Sequence, residues 1–255
     1  AKVLASAYMH GVPELPAYDW ENTRYVLSFA ARLFESWCQT IHISRISSHL
    51  KRGIPGMRVK LVHVSPLSSV TATKADERIP IEPATYGALA LGLAHVLVRD
   101  KLHDQAFVRA HTFGFEDWKD TAGTTHRGFR DLIEKDYPPQ KVAGLTKIPA
   151  RTIERIAHEM ATHRPALALA DGNAAAATNG LGTAMAIHAL NALLGNLERP
   201  GGLLVQKQAP FAAWEPALLD PIAMKHRTAA RLDGAGNAEC PLGRDVVQNV
   251  PRAIL

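Results

Sequence analysis

Short apolar blocks along this chain alternate with longer stretches whose apolar residues recur at helical spacing, the pattern of strands separated by helices. The run from Arg24 to Ala30 is β-branched and aromatic and reads as a buried strand. Glu35 to about Lys51 predicts a helix, ended by Gly53 and Pro55. Arg58–Val64 is the next strand, stopped by Pro66, and Arg78–Ile81 a brief third one. Thr85 is positioned to cap a helix running through Ala90, Leu93 and Leu97.

A mostly helical insert, about residues 103–163, follows and is interrupted by the loop Asp120–Thr125. Its last helix has Pro149 in the first turn, puts Ile153, Ile156, Ala157 and Met160 on one face, and leaves Glu154 and His158 outside it. Ala166–Ala170 returns to the sheet. A helix apolar on all sides then runs from Gly180 to Leu194, with Gly195 closing it, and is expected to be buried.

Strands joined by helices imply an α/β fold with a mostly parallel, doubly wound, Rossmann-like sheet and right-handed crossovers. Residues 1–205 form this domain. After Gly202 the spacing of Pro210, Pro216, Pro221, Gly234, Gly236 and Pro241 marks 206–255 as a linker leading into a further domain. The chain opens at Ala1 without methionine and stops at Pro251–Leu255 in a helix-start pattern, so both ends are expected to be cuts.

Composition narrows the function. A 47% hydrophobic share supports a real core, and a net charge of +5 spread without basic runs gives no nucleic-acid arm. The two cysteines, Cys38 and Cys240, stand alone, and the twelve histidines form no metal-ligand spacing, so no metal or iron–sulfur site is expected here. No apolar stretch is long enough to span a bilayer. His95, His158 and His188 read as core or surface residues, and Trp20, Trp37 and Trp118 as packing groups. The absence of GxSxG, of a P-loop and of GxGxxG after the first strand argues against a hydrolase, a kinase or an NAD dehydrogenase.

Ligands of open parallel sheets bind at the carboxyl edge. Four loops collect there: Ala30-Ala31-Arg32; Ser65 through Leu67 and Ser68 to Thr71; Glu82-Pro83-Ala84-Thr85-Tyr86; and Asp171-Gly172-Asn173 through Thr178-Asn179-Gly180. Their small residues let backbone approach a ligand, and their hydroxyls and helix N-terminal amides suit phosphate oxygens.

At these loops the sequence resembles the molybdopterin oxidoreductases of the dimethyl sulfoxide reductase family. Asp19-Trp-Glu-Asn22, then Tyr25-Val-Leu-Ser-Phe-Ala-Ala31 and Glu35-Ser-Trp37, are similar to that family's first strand and loop. Thr71-Ala-Thr-Lys-Ala-Asp76, Ile79-Pro-Ile-Glu-Pro83 and Gly87-Ala-Leu-Ala-Leu-Gly92 resemble its next motif, and Asn191-Ala-Leu-Leu-Gly-Asn196 with Arg199-Pro-Gly-Gly202 its Asn- and Gly-rich signature. The likeness runs from about Asp19 to Gly202, and it is nearest to thiosulfate, polysulfide and tetrathionate reductase-like catalytic subunits.

The resemblance implies one pterin guanine dinucleotide of a molybdenum–bis(molybdopterin guanine dinucleotide) cofactor, held by Ala30, Ala31, Arg32, Glu35, Ser65, Leu67, Ser68, Thr71, Pro83, Thr85, Tyr86, Asp171, Gly172, Asn173, Thr178 and Asn179. It implies two-electron redox or atom transfer on a small sulfur oxyanion in a respiratory chain. The molybdenum ligand and any iron–sulfur cluster belong outside this segment, and no catalytic residue is assigned within it. Expected partners are the remaining domains of the subunit, an iron–sulfur electron-transfer subunit and a membrane anchor subunit, in a periplasmic or membrane-associated setting.

The departures define alternatives. Where the family pattern carries Gly-Ala-Asn, this chain has Ala30-Ala31-Arg32. Ser65 and Leu67 stand where it carries an acid and an arginine, and Ala84 and Tyr86 where it carries a glycine and an acid. These changes point to a cofactor-free structural subunit of a respiratory quinone-linked membrane complex, or to a binder of another nucleotide.

Overall fold

The computed structural model describes residues 1–37, 40–52, 58–206, 220–227, 229–238 and 250. In chain order these form α1 (Lys2–His10), β1 (Ala17–Tyr18), β2 (Tyr25–Phe29), α2 (Thr40–Arg52), β3 (Lys60–Val64), α3 (Val70–Lys74), β4 (Glu77–Ile79) and α4 (Tyr86–Arg99). There follow α5 (Gln105–His111), β5 (Trp118–Lys119), β6 (Thr125–His126), α6 (Phe129–Asp136), α7 (Pro139–Thr146) and α8 (Ala150–Thr162). The last elements are β7 (Ala166–Ala170), α9 (Gly180–Leu193), β8 (Leu203–Leu204) and α10 (Pro221–Arg227). Two compact units divide the chain, Ala1–Gln208 and Ala209–Leu255.

The first unit is built on a four-stranded sheet of order β4-β3-β2-β7 whose pairings are all parallel. Strand alternation sends side chains to both faces, and both faces are covered. Leu27, Phe29, Val62, Val64, Ala166 and Ala168 join one cluster with Leu89 and Leu93 of α4 and Leu190 of α9. Val26, Leu167 and Leu169 join the other with Ile43 of α2, Trp20 and Trp37. This layering explains the near-continuous apolar strands in the sequence.

Several boundaries differ from the sequence expectation. The second helix begins at Thr40, because the Arg32 carbonyl accepts the N–H groups of Glu35, Ser36 and Trp37 at 3.1 Å each and folds that stretch into a tight turn. Its expected terminators, Gly53 and Pro55, lie outside the described residues, as do Cys38, Cys240, Pro210, Pro216, Pro241 and the final Pro251–Leu255. The expected loop Asp120–Thr125 is the turn of a small hairpin. There Asp120 Oδ1 accepts from Ala122 N and Thr124 N, and Trp118 stacks on His126 at 4.4 Å.

Thr85 does sit at the start of α4, but its hydroxyl donates back to Glu82 O instead of capping. Ile153, Ile156, Ala157 and Met160 are buried together, as their spacing predicts. His95 Nδ1 donates to Ile133 O in the core, whereas His158 is exposed beside Asp100. In the second unit, the stretch expected to be a linker contains α10 and a turn in which Arg231 grips Asp233 through two contacts.

Candidate functional site

The strand register fixes where the site is. Phe29 is paired with Val64 on one side and Ala170 on the other, and Val64 with Ile79. The last residues of all four parallel strands thus stand in one row across the carboxyl edge. At about 4.8 Å between neighbours, the four departing loops fit within roughly 15 Å. The expected site residues are therefore brought to one edge, although they differ in what they present.

Loop one leaves β2 through Ala30, whose φ of 52° lies in the left-handed region. An L residue there costs about 1–2 kcal/mol, which is why glycine is usual at such a position. The Ala30 N–H is held by Val64 O at 2.9 Å. Ala31 is buried, and Arg32 is part exposed, its side chain making only a 3.9 Å contact to Glu35 among the described residues.

Loop two is interlocked with loop one. Phe34 N donates to Thr71 Oγ1 at 3.2 Å, and Thr71 N donates to a Glu35 carboxylate oxygen at 3.2 Å. Ser65 Oγ accepts from Leu67 N at 3.1 Å, and Ser69 caps α3 by accepting from Ala72 N. Ser65 and Thr71 are buried; Leu67 is exposed, and the Ser68 hydroxyl has no partner among the described residues.

Loop three turns at Ala84, again left-handed with φ 63°. Pro83 is exposed, while Tyr86 packs into the core and burial pushes its phenol up. Its ring is therefore not displayed at the edge.

In loop four, Asp171 accepts from Lys2 Nζ at 3.1 Å and from Gly172 N at 2.6 Å. Asn173, Thr178 and Asn179 are exposed, their side chains without protein partners among the described residues. Gly180 opens α9 at a close approach: a Cβ there would lie 2.0 Å from Ala175 O. Beside loops three and four, a groove of about 530 Å3 runs between α4 and α9, with Ala84, Thr85, Asn179 and Thr183 among its walls.

Three features escaped the sequence. Lys2 on α1 reaches the edge and lies 5.7 Å from the Trp37 ring centroid. Trp37 is buried and its indole N–H has no acceptor among the described residues. Beneath loop one, buried Ser28 and His63 share a 3.0 Å contact between Oγ and Nδ1. Each joins residues far apart in sequence, and no local pattern announces it. Among the described residues no cluster of three or more His, Cys, Asp or Glu could hold a metal, and no helix is long and apolar enough to cross a membrane.

A family model for molybdopterin oxidoreductases matches residues 6–251. The chain is 30% identical over 249 residues to the arsenate respiratory reductase molybdopterin-containing subunit ArrA of Shewanella sp. (strain ANA-3), covering 92% of this chain and 29% of that protein. It is 31% identical to the thiosulfate reductase molybdopterin-containing subunit PhsA of Salmonella typhimurium, covering 76% and 23%. It is also 31% identical to the menaquinone reductase, molybdopterin-binding-like subunit of Nitratidesulfovibrio vulgaris, covering 73% and 24%. Among solved structures, acetylene hydratase from Pelobacter acetylenicus matches with a TM-score of 0.63 and 22% identity, over 80% of this chain and 25% of that one. That likeness concerns the fold. The chain spans less than a third of the length of each of these proteins.

Proposed function

Because this chain belongs to the molybdopterin oxidoreductase family, we propose that residues 1–205, within its first unit, are a Rossmann-like domain that holds one pterin guanine dinucleotide of a molybdenum cofactor along the carboxyl edge of the sheet. The observation that carries this reading is the row of four loops over β4, β3, β2 and β7.

The groups left free there suit such a ligand. Arg32 supplies a guanidinium for a diphosphate, and Ser68, Thr178, Asn173 and Asn179 supply donors and acceptors for ribose hydroxyls and a purine edge. Thr71 Oγ1, which accepts from Phe34 N, keeps its proton to donate. When bound, a molybdenum–pterin group supplies a metal at which two-electron redox and atom transfer proceed. The part played by this chain is to bind and orient. Loops one and two, bonded to each other, present Arg32 on a fixed backbone.

For the whole protein we propose a respiratory oxidoreductase subunit acting on a small oxyanion of the sulfur type, working with an iron–sulfur subunit and a membrane anchor subunit. The names of the thiosulfate and arsenate reductase relatives support that class. Molybdenum analysis of the full-length protein, with release of fluorescent pterin in acid, tests cofactor content; absence of both overturns the reading.

A second reading has its own observation. The acids at the edge are already engaged, Asp171 by Lys2 and Glu35 by Thr71 N, and methyl groups stand at left-handed Ala30 and Ala84. These features suit a cofactor-free subunit that keeps the fold as a scaffold in a quinone-linked membrane complex. The full-length protein then carries neither molybdenum nor acid-releasable pterin while still assembling with its membrane partners, and finding either one bound rejects this second reading.

A further inference from the structure

Directly under loop one, Ser28 near the end of β2 and His63 near the end of β3 are both buried, at 0% and 1% exposure. Ser28 Oγ donates to Ala31 O at 3.3 Å and lies 3.0 Å from His63 Nδ1. A serine hydroxyl has one proton. If that proton goes to Ala31, the second contact requires His63 to carry its own proton on Nδ1 and donate it to Ser28. The order is then His63 Nδ1–H to Ser28 Oγ–H to Ala31 carbonyl. Desolvation lowers the imidazole pKa to about 4, with Glu35 opposing that shift and Arg78 adding to it, so the ring is neutral at ordinary pH.

The carbonyl at the end of this relay belongs to the residue between left-handed Ala30 and Arg32. Ala30 is held from one side by Val64 O, and Arg32 from the other by the three N–H groups its own carbonyl accepts. The Ala31 carbonyl is a further backbone acceptor of that corner, and the relay engages it.

We propose that Ser28 and His63 are a positioning pair: they fix the backbone corner that aims the Arg32 guanidinium at an anionic group, such as a diphosphate, on the carboxyl edge. The role rests on the ligand reading above and deepens it. A serine and a histidine in the interior of a sheet whose other inward positions are aliphatic or aromatic have a polar task, since burying them without partners costs about 1–3 kcal/mol each. Here the task is to hold loop one at Ala31, one residue beyond its last backbone bond to β3, the Ala30 N–H to Val64 O.

The test uses the full chain with inorganic pyrophosphate and GDP as probes, read by calorimetry, and amide hydrogen exchange at Ala31 and Arg32 without any ligand. His63→Phe keeps the ring and removes the donor; it is expected to speed exchange at Ala31 and Arg32 and to weaken pyrophosphate binding roughly tenfold, the worth of one charge-assisted contact. His63→Asn restores an N–H donor to Ser28 and is expected to recover both. Arg32→Gln is expected to abolish the gain from His63, so the double variant binds no worse than Arg32→Gln alone. If His63→Phe does not fold, Ser28→Ala carries the same expectations.

The pair's role is overturned if His63→Phe or Ser28→Ala leaves exchange at the corner unchanged. It is also overturned if exchange rises but His63→Asn fails to reverse it. Wild-type protein that binds neither probe rejects the ligand reading, while the exchange comparison still decides whether the pair holds the corner.

Discussion

Asn191 clasps Ala168 from both ends of its amide: Oδ1 accepts the Ala168 N–H at 2.9 Å, and Nδ2 donates to the Ala168 carbonyl at 2.8 Å. In a parallel ladder one residue of a strand bonds its neighbour and the next presents both backbone groups to the other side. β7 is an edge strand, so Ala168 would face that side unpaired. Asn196 does the same service for the Ala166 carbonyl. The two asparagines of the Asn-rich motif therefore close the sheet, and they are not ligand groups.

Asn191→Leu is accordingly expected to destabilise the first unit by roughly 2–5 kcal/mol, since two buried backbone groups lose their partners. Urea unfolding checks it: the midpoint should fall with the slope unchanged. A loss under about 1 kcal/mol would mean that water replaces the amide.

Ala84 offers a gain. It is exposed and held at φ 63°, a conformation glycine adopts freely. Ala84→Gly should stabilise by about 0.5–1 kcal/mol after its greater unfolded-state entropy is subtracted. Ala84→Val should destabilise by more than that, because a β-branched residue is worse there. Thermal unfolding of the three proteins should rank Gly above Ala above Val; any other order removes the strain argument.

Acid should weaken the fold through its buried histidines. Burial lowers His188 to about 4, with His10 adding to the shift, and lowers His63 to about 4 and His10 below its ordinary value. His10 Nε2 and His188 Nδ1 lie 3.0 Å apart, a contact that needs one of the two nitrogens unprotonated. These groups stay neutral in the fold while the unfolded chain takes up protons from about pH 6.5 downward. Their contribution is thus fully present above pH 6.5 and is lost as pH falls towards 4. His188→Met should flatten the fall in urea midpoint between pH 6.5 and 4, and an unaltered slope would reject the assignment.

How much of this the sequence displays depends on sequence separation. The four parallel strands, the buried helix α9 and the apolar face of α8 are legible because each is a local pattern of adequate length. The turn at Glu35–Trp37 is not, since three amides converging on the Arg32 carbonyl look like helix in a propensity count. Loops one to four are foreseeable from strand order alone, because parallel strands must send their carboxyl ends the same way. The reach of Lys2 to Asp171, the seating of His10 on His188 and the Ser28–His63 relay depend on register and helix docking, and have no local signature. Tyr86 illustrates the reverse: a residue expected to display its phenol at the edge is drawn into the core by the apolar face of α4.

The opposite edge of the sheet supplies a control that separates scaffold from site. Glu159 on α8 accepts from Lys60 Nζ at 2.7 Å, Arg155 Nη1 at 2.7 Å and Tyr25 Oη at 3.1 Å, tying the amino ends of β2 and β3 to the helix. Its carboxyl is held below the ordinary range although desolvation, the largest influence, acts to raise it, because the hydrogen bonds from Lys60, Arg155 and Tyr25 and the Lys60 charge outweigh burial. Glu159→Ala should therefore cost about 1–3 kcal/mol, discounted for partial exposure and reduced in high salt. It should leave pyrophosphate affinity unchanged, because the strand bodies separate it from loop one. Arg32→Gln should do the opposite. That side chain is part exposed and makes only one long contact among the described residues, so stability should stay within about 0.5 kcal/mol while binding falls. Parallel measurement of urea midpoints and pyrophosphate affinity on the two variants decides it. If both variants lose stability and affinity together, the carboxyl edge is not a separable site and the binding loss reports only a weakened fold.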